Sequence, residues 1–344
     1  MSVPCGHEPG DSGPHRPNVL GVRSSLRRSV HKRLGRRIVA ATIVASALVI
    51  SLSSGVGDAD AASLNRISVG GCGMPASPVD IWARPGNYKT VIALDGLRAT
   101  SDMSGWRHET NIARLADSGV NVVEPVGGLA SFYTNWDTAS PGNKIKYRYM
   151  WTCRLDRIVA ALDARGLAVG PWGKYAIMGI SMGGGSAMIY GAYHRNRISH
   201  VFSMSGYVNL SAPTMREAVR LALIDAGVEA GVGPFSADAM WGPPWSDRWQ
   251  RNDALVQLPR MRGMKIRVAA GSAAWGRYNT DAVNSVKGTP LEAVALAQTR
   301  SFEVAAALQG IPITTDFPTV GTHTWGYWQD MVWRAKNSGW FRDR

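Results

Sequence analysis

Residues Tyr175–Ile180 (YAIMGI) run without a polar side chain, apart from the Tyr175 hydroxyl, straight into Ser181-Met182-Gly183. A small-residue stretch, GGGSAMIYGAYH, starts at that last glycine. An apolar run of six residues bounded by turn signals reads as a strand buried on both faces. The residues after it suit a helix. Strand, tight turn and helix with a serine at the turn constrain the chain more than any other feature. Such a turn is strained, and the glycines on either side of the serine allow backbones to approach closely.

Apolar runs and helical patterns alternate on both sides of this unit. Val91–Leu94, Asn121–Pro125, Val201–Met204 and Ile266–Ala270 read as further buried strands. Asn111–Asp117, Cys153–Arg165, Ser186–Tyr193 and Leu291–Leu308 read as helices, with Leu155, Ile158, Val159 and Leu162 on one helical face. Alternation of this kind predicts a mostly parallel sheet covered on both faces. With the Gly-x-Ser-x-Gly turn it predicts an α/β-hydrolase fold, whose elbow presents the serine above the sheet. Residues 207–262 interrupt the alternation with a helical stretch, Met215–Ala226, and a Trp/Gly/Pro-rich segment, MWGPPWSDRW. They are expected to form a cap-like insertion, with Met215, Leu221 and Ile224 either facing a lipid chain or packing on the sheet.

A serine nucleophile needs a base, and in this fold the acid and then the histidine follow it along the chain. Residues 62–344 offer His108, His194, His200 and His323. His108 precedes the serine. His194 and His200 lie beyond a helix of about 12 residues, roughly 18 Å from its start. His323, in the polar loop GTHTW, is the well-placed candidate. Four acids fall between serine and histidine beyond the insertion: Asp281, Glu292, Glu303 and Asp316. The pattern favours Asp281, in the loop after the strand IRVAA. The Met182 amide at the helix start suits a developing oxyanion. No His/Cys/Asp/Glu cluster has metal-ligand spacing, and no cofactor is expected.

The N-terminus reads as an export signal. Residues 38–52 form a run of 15 without charge, short for a membrane span of about 20. Arg27, Arg28, Lys32, Arg33, Arg36 and Arg37 precede it, and Ala59-Asp60-Ala61-Ala62 follows as a cleavage site. Residues 1–61 are therefore read as a basic segment and secretory signal, cleaved near Ala61, and 62–344 as one domain; a retained signal anchor is the competing reading. Of the net charge of +13, eight Lys/Arg against two acids lie in residues 1–37. The rest are scattered, so no nucleic-acid partner is expected; a monomer is. Export leaves Cys72 and Cys153 in an oxidising compartment, where they read as one disulfide rather than as free thiols.

Residues 88–335 resemble the antigen 85-type mycolyltransferases of mycolic-acid-containing actinobacteria. The resemblance rests on Leu94-Asp95-Gly96-Leu97-Arg98-Ala99, Ser104-Gly105-Trp106, Pro125-Val126-Gly127-Gly128, Ser131-Phe132-Tyr133, the serine elbow, and Gly321-Thr322-His323 with Trp325. It implies Ser181 as nucleophile and His323 as base. It moves the acid to Glu292, ten residues before Phe302. It places the oxyanion hole on the Leu97 and Met182 amides and has Asp95, Arg98 and Trp325 contact a sugar. It also implies trehalose mycolates and arabinogalactan as substrates at a cell-envelope lipid surface. The sequence departs from the family in an N-terminal strand region that looks shortened, with GCGMPASPVDIW in its place, and in lacking a cysteine loop after Ser131-Phe132-Tyr133. A secreted lipid esterase or thioesterase, and a non-catalytic envelope-binding protein, are the competing functions.

Overall fold

The computed structural model describes residues 61–168 and 173–342. The basic N-terminal segment and the apolar run 38–52 lie outside the described residues, as does the expected cleavage site up to Asp60. Among the described residues no helix is long and apolar enough to cross a membrane.

The chain begins with a hairpin, β1 (Ser63–Gly71) and β2 (Met74–Ala83), then continues through β3 (Lys89–Leu94), α1 (Gly105–Glu109), α2 (Arg114–Asp117), β4 (Val120–Pro125) and α3 (Trp151–Asp163). Next come β5 (Tyr175–Ile180), α4 (Ser181–Tyr193), β6 (Ile198–Met204), α5 (Met215–Glu229), α6 (Ala237–Trp241) and α7 (Asp247–Arg251). The last elements are β7 (Lys265–Ala269), α8 (Ala282–Leu308), β8 (Ile313–Asp316) and α9 (Trp325–Asn337). One eight-stranded sheet has the order β1-β2-β4-β3-β5-β6-β7-β8. β1 with β2 and β2 with β4 are antiparallel, and every other pairing is parallel.

Every residue of β3, β4 and β5 is buried, as near-continuous apolar runs require when helices cover both faces. Alternate residues feed two cores. Ile92, Leu94 and Ile177 pack with α3 and α4, while Val91, Ala93, Ala176 and Met178 pack with Trp328, Met331 and Val332 of α9.

The structure extends several sequence-based expectations. The region read as shortened forms strands of nine and ten residues, β1 and β2. The prolines at 75 and 78 and the exposed alternate positions hide its strand character. The turn between them, Gly71-Cys72-Gly73, has positive φ throughout. Cys72 there is disulfide-bonded to Cys153 in α3, with Cα atoms 6.1 Å apart, which ties the hairpin to the helix side of the sheet. α4 starts at Ser181, and the stretch Ser186–Tyr193 forms its later turns. α8 starts at Ala282 rather than at Leu291 and carries Pro290 inside it. Asn111–Asp117 is helical only from Arg114.

Candidate active site

Ser181 is the first residue of α4, directly after the last residue of β5, and holds φ at 50°. That left-handed value is costly for a residue with a Cβ. The flanking glycines are a steric requirement. A Cβ on Gly183 would lie 2.3 Å from the Asp95 carbonyl oxygen, and one on Gly179 would lie 2.3 Å from the Gly183 carbonyl oxygen. No side chain caps α4, so its first amides, Met182 among them, stand at a helix N-terminus without a side-chain acceptor.

His323 lies between β8 and α9 with its side chain 8% exposed. Its Nδ1 is 2.8 Å from Glu292 Oε2. Glu292 is fully buried on α8, and its other oxygen accepts from the Ser205 hydroxyl at 2.7 Å and the Gly271 amide at 2.5 Å. Ser205 in turn accepts from the Trp328 indole at 2.9 Å. An ionised carboxylate only accepts, so Nδ1 carries the ring proton and Nε2 is left bare, the tautomer a general base needs. Trp328 also lies edge-on to the His323 ring, 4.9 Å between centroids, and fixes its plane.

The other acids are occupied elsewhere. Asp281, which the pattern favoured, caps α8 by accepting from the Val283 and Asn284 amides. Glu303 pairs with Arg300, and Asp316 with Arg267 and Arg334. Sequence reasoning missed Ser205 and Trp328 altogether. Ser205 directly follows β6 with φ at 47°, and nothing local in VFSMSGY marks it as a partner of a residue 87 positions away.

Ser181 and His323 both line one cavity of about 870 Å³. Its walls are mostly aliphatic and aromatic, with Met215, Val219 and Leu221 contributed by α5; Ile224 is exposed on the same helix. Leu97, Asp95, Arg98 and Trp325 also line it. Asp95 is 1% exposed, and its carboxyl accepts from the Ser104 hydroxyl and the Gly105 amide, holding the start of α1. Burial outweighs those bonds and pushes its pKa up to about 7. The Arg98 guanidinium is engaged by Asp225 and Glu229 of α5. Trp325 packs edge-on to Trp106 and Trp328. A Cβ on Gly105 would fall 2.3 Å from the Trp325 ring, so that glycine makes room for the indole.

Among the described residues, no group of three or more His, Cys, Asp or Glu side chains could hold a metal ion. A strained serine at a strand–helix elbow, a carboxylate-held histidine and a mostly parallel eight-stranded sheet define an enzyme of the α/β-hydrolase, serine-esterase class. Comparison with known proteins narrows this. The Esterase family model matches residues 77–337. The chain is 34% identical over 262 residues to the diacylglycerol acyltransferase/mycolyltransferase Ag85C of Mycobacterium avium, covering 75% of this chain and 72% of that one. It is 35% identical over 250 residues to Ag85B of Mycolicibacterium smegmatis, covering 71% and 74%. The crystal structure of Mycobacterium tuberculosis MPT51 (FbpC1) superposes with a TM-score of 0.68 at 27% identity, covering 82% of this chain and all of that one. The chain belongs to the esterase family and, within it, to the antigen 85-type acyltransferases.

Proposed function

We propose that the protein moves a mycolyl group from trehalose monomycolate to a second trehalose monomycolate or to arabinogalactan, outside the cytoplasmic membrane, through an ester of Ser181. His323, held by Glu292, takes the Ser181 proton as Oγ attacks the mycolyl carbonyl. The oxyanion rests on the Leu97 and Met182 amides. Collapse breaks the sugar ester bond, and His323 returns its proton to the leaving trehalose oxygen. An acceptor hydroxyl then gives a proton to His323, attacks the acyl-enzyme and frees Ser181. In this reading Asp95, Arg98 and Trp325, all on the cavity wall, face the sugar, and residues 207–262 act as the cap whose α5 lines the acyl side. The 15-residue apolar run behind six basic side chains and the disulfide support export with cleavage near Ala61.

The observation that carries this reading is the bond between His323 and the fully buried Glu292, at the wall of the cavity that also holds Ser181. Two measurements test it. Brief exposure to a short-chain ester should add one acyl mass to the wild type and none to Ser181→Ala. Trehalose monomycolate should yield trehalose dimycolate; release of free mycolate alone would make the protein a lipid hydrolase instead.

A further inference from the structure

The glycine run at the start of α4 shapes more than the elbow. Gly183 serves the close approach behind Ser181, while the next two glycines face the loop after β6. A Cβ on Gly184 would lie 3.0 Å from Gly206 Cα, and one on Gly185 would lie 2.6 Å from the Tyr207 carbonyl oxygen. Ser205, two residues before Tyr207, donates to Glu292. The backbone of Tyr207 is thus pressed against the helix that carries Ser181 and tied to the carboxylate that holds His323. A loop fixed at both of these points presents its side chain in one place.

Tyr207 is the one tyrosine among the described residues on the wall of the catalytic cavity. Its ring lies 6.2 Å from the His323 ring between centroids, with the planes inclined at 34°. Its hydroxyl has no hydrogen-bond partner among the described residues, yet it is not sealed inside the protein. Burial and the charge of Glu292 both push its pKa up, so the hydroxyl keeps its proton and stays a donor. The other polar side chains of the wall are committed. Asp95 holds α1, Arg98 meets Asp225, His108 meets Glu109 and Thr100 bonds the Met103 carbonyl. Asp102 stands on the exposed rim. Three groups are left for a substrate: Ser181 Oγ, His323 Nε2 and the Tyr207 hydroxyl. An unpaired hydroxyl in a mostly apolar wall is costly once water is displaced. The ester carbonyl oxygen is served by the Leu97 and Met182 amides. The atom that gains charge on the histidine side is the alcohol oxygen.

We infer that Tyr207 is a further catalytic residue, whose hydroxyl donates a hydrogen bond to the alcohol oxygen that His323 serves, an assignment that rests on the acyl-enzyme reading proposed above. As the tetrahedral intermediate collapses, the bond between the acyl carbon and the alcohol oxygen breaks, and its electron pair stays on that oxygen. The oxygen takes the proton from His323 Nε2 and accepts from Tyr207, which keeps its own proton throughout. In the second half-reaction the incoming alcohol gives its proton to Nε2 and accepts from the same hydroxyl, leaving a lone pair for the acyl carbon. The donor acts where charge develops, as an oxyanion hole does on the other oxygen.

The test compares two butyrate esters that differ only in the leaving alcohol, with the full chain and its Tyr207→Phe variant, which loses the hydroxyl and keeps the ring. Thermal melting checks that the variant folds. For both esters kcat/KM reports acylation. p-Nitrophenolate leaves without a donor, so kcat/KM for p-nitrophenyl butyrate should stay within about twofold of wild type. A sugar alkoxide is a far stronger base, so kcat/KM for 6-O-butyryl glucose should fall about 10- to 100-fold, the worth of a hydrogen bond to a charged oxygen. Equal losses on the two esters would make Tyr207 a packing residue, and no loss on either would leave its hydroxyl idle; each result overturns the inference. Absence of an acyl-enzyme in the wild type is a different failure, which ends the serine mechanism and this inference with it.

Discussion

Replacing Glu292 by glutamine tests the relay while barely altering its shape. The carboxylate takes three donors: Ser205 Oγ and the Gly271 amide on Oε1, and His323 Nδ1 on Oε2. A glutamine amide has one accepting end. If its oxygen occupies the Oε1 position, Ser205 and Gly271 stay satisfied and the NH2 group faces His323. Nδ1 must then accept, and the ring proton moves to Nε2, the atom that should receive the Ser181 proton. The reverse orientation points NH2 at the Gly271 N–H, a buried donor–donor contact costing about 1–3 kcal/mol, so the first orientation wins. The wrong tautomer in a serine triad lowers kcat by about 10⁴, and at 1.36 kcal/mol per tenfold that is about 5 kcal/mol of barrier. Burst kinetics with p-nitrophenyl butyrate read the loss, and thermal melting confirms the fold. Asp281→Ala is the control. It removes the α8 cap, should cost about 1 kcal/mol of stability, and should leave kcat within twofold. A Glu292→Gln enzyme within tenfold of wild type would refute the assigned relay.

Ser205→Ala deletes one donor to Glu292 and orphans the buried Trp328 indole; stability should drop by about 1–3 kcal/mol and kcat about tenfold, and an unchanged kcat would remove Ser205 from the positioning network. Glu124 is fully buried on β4 with neither oxygen hydrogen-bonded, and burial, helped by the charges of Asp95 and Asp80, pushes its pKa up to about 8. The unfolded chain releases this proton near pH 4.3 while the folded chain keeps it, so stability should fall between about pH 4.3 and 8, by up to about 1.4 kcal/mol per unit. Glu124→Gln should therefore melt higher than wild type at pH 8 and alike at pH 4, leaving the smaller slope that Asp95 contributes in the same direction. Cys72→Ser with Cys153→Ser opens a loop spanning 81 positions and should cost about 4 kcal/mol; reductant should lower the melting temperature of wild type and leave the variant unmoved.

What could be read from the sequence was whatever is decided by neighbours in the chain. The elbow around Ser181 is such a case, because strand, turn and helix are contiguous and the glycines report a steric need. The central strands are another, since burial on both faces leaves no polar position in the run. His323 followed by elimination among four histidines. The acid did not follow from pattern. Asp281 looks right because it sits in a loop at the end of a strand, yet that position is also a helix N-cap, and the cap claims it. Glu292 looks like an ordinary helical residue and meets His323, Ser205 and Gly271 only when α8 crosses the ends of β6 and β7. The β1–β2 hairpin was missed because its outer strand is half exposed and its partner carries two prolines, which blur alternation. The ion pairs of Arg98 with Asp225 and Glu229 were not legible either, because they are set by the packing of α5 over a loop more than a hundred residues earlier.

The left-handed backbone of Ser181 has an evolutionary corollary. Glycine would occupy that turn without strain, where serine carries on the order of 1 kcal/mol, so Ser181→Gly should unfold at a higher temperature than the native chain. Drift alone would push the position towards the smaller residue. A hydroxyl kept there is held uphill by whatever the cell loses without it.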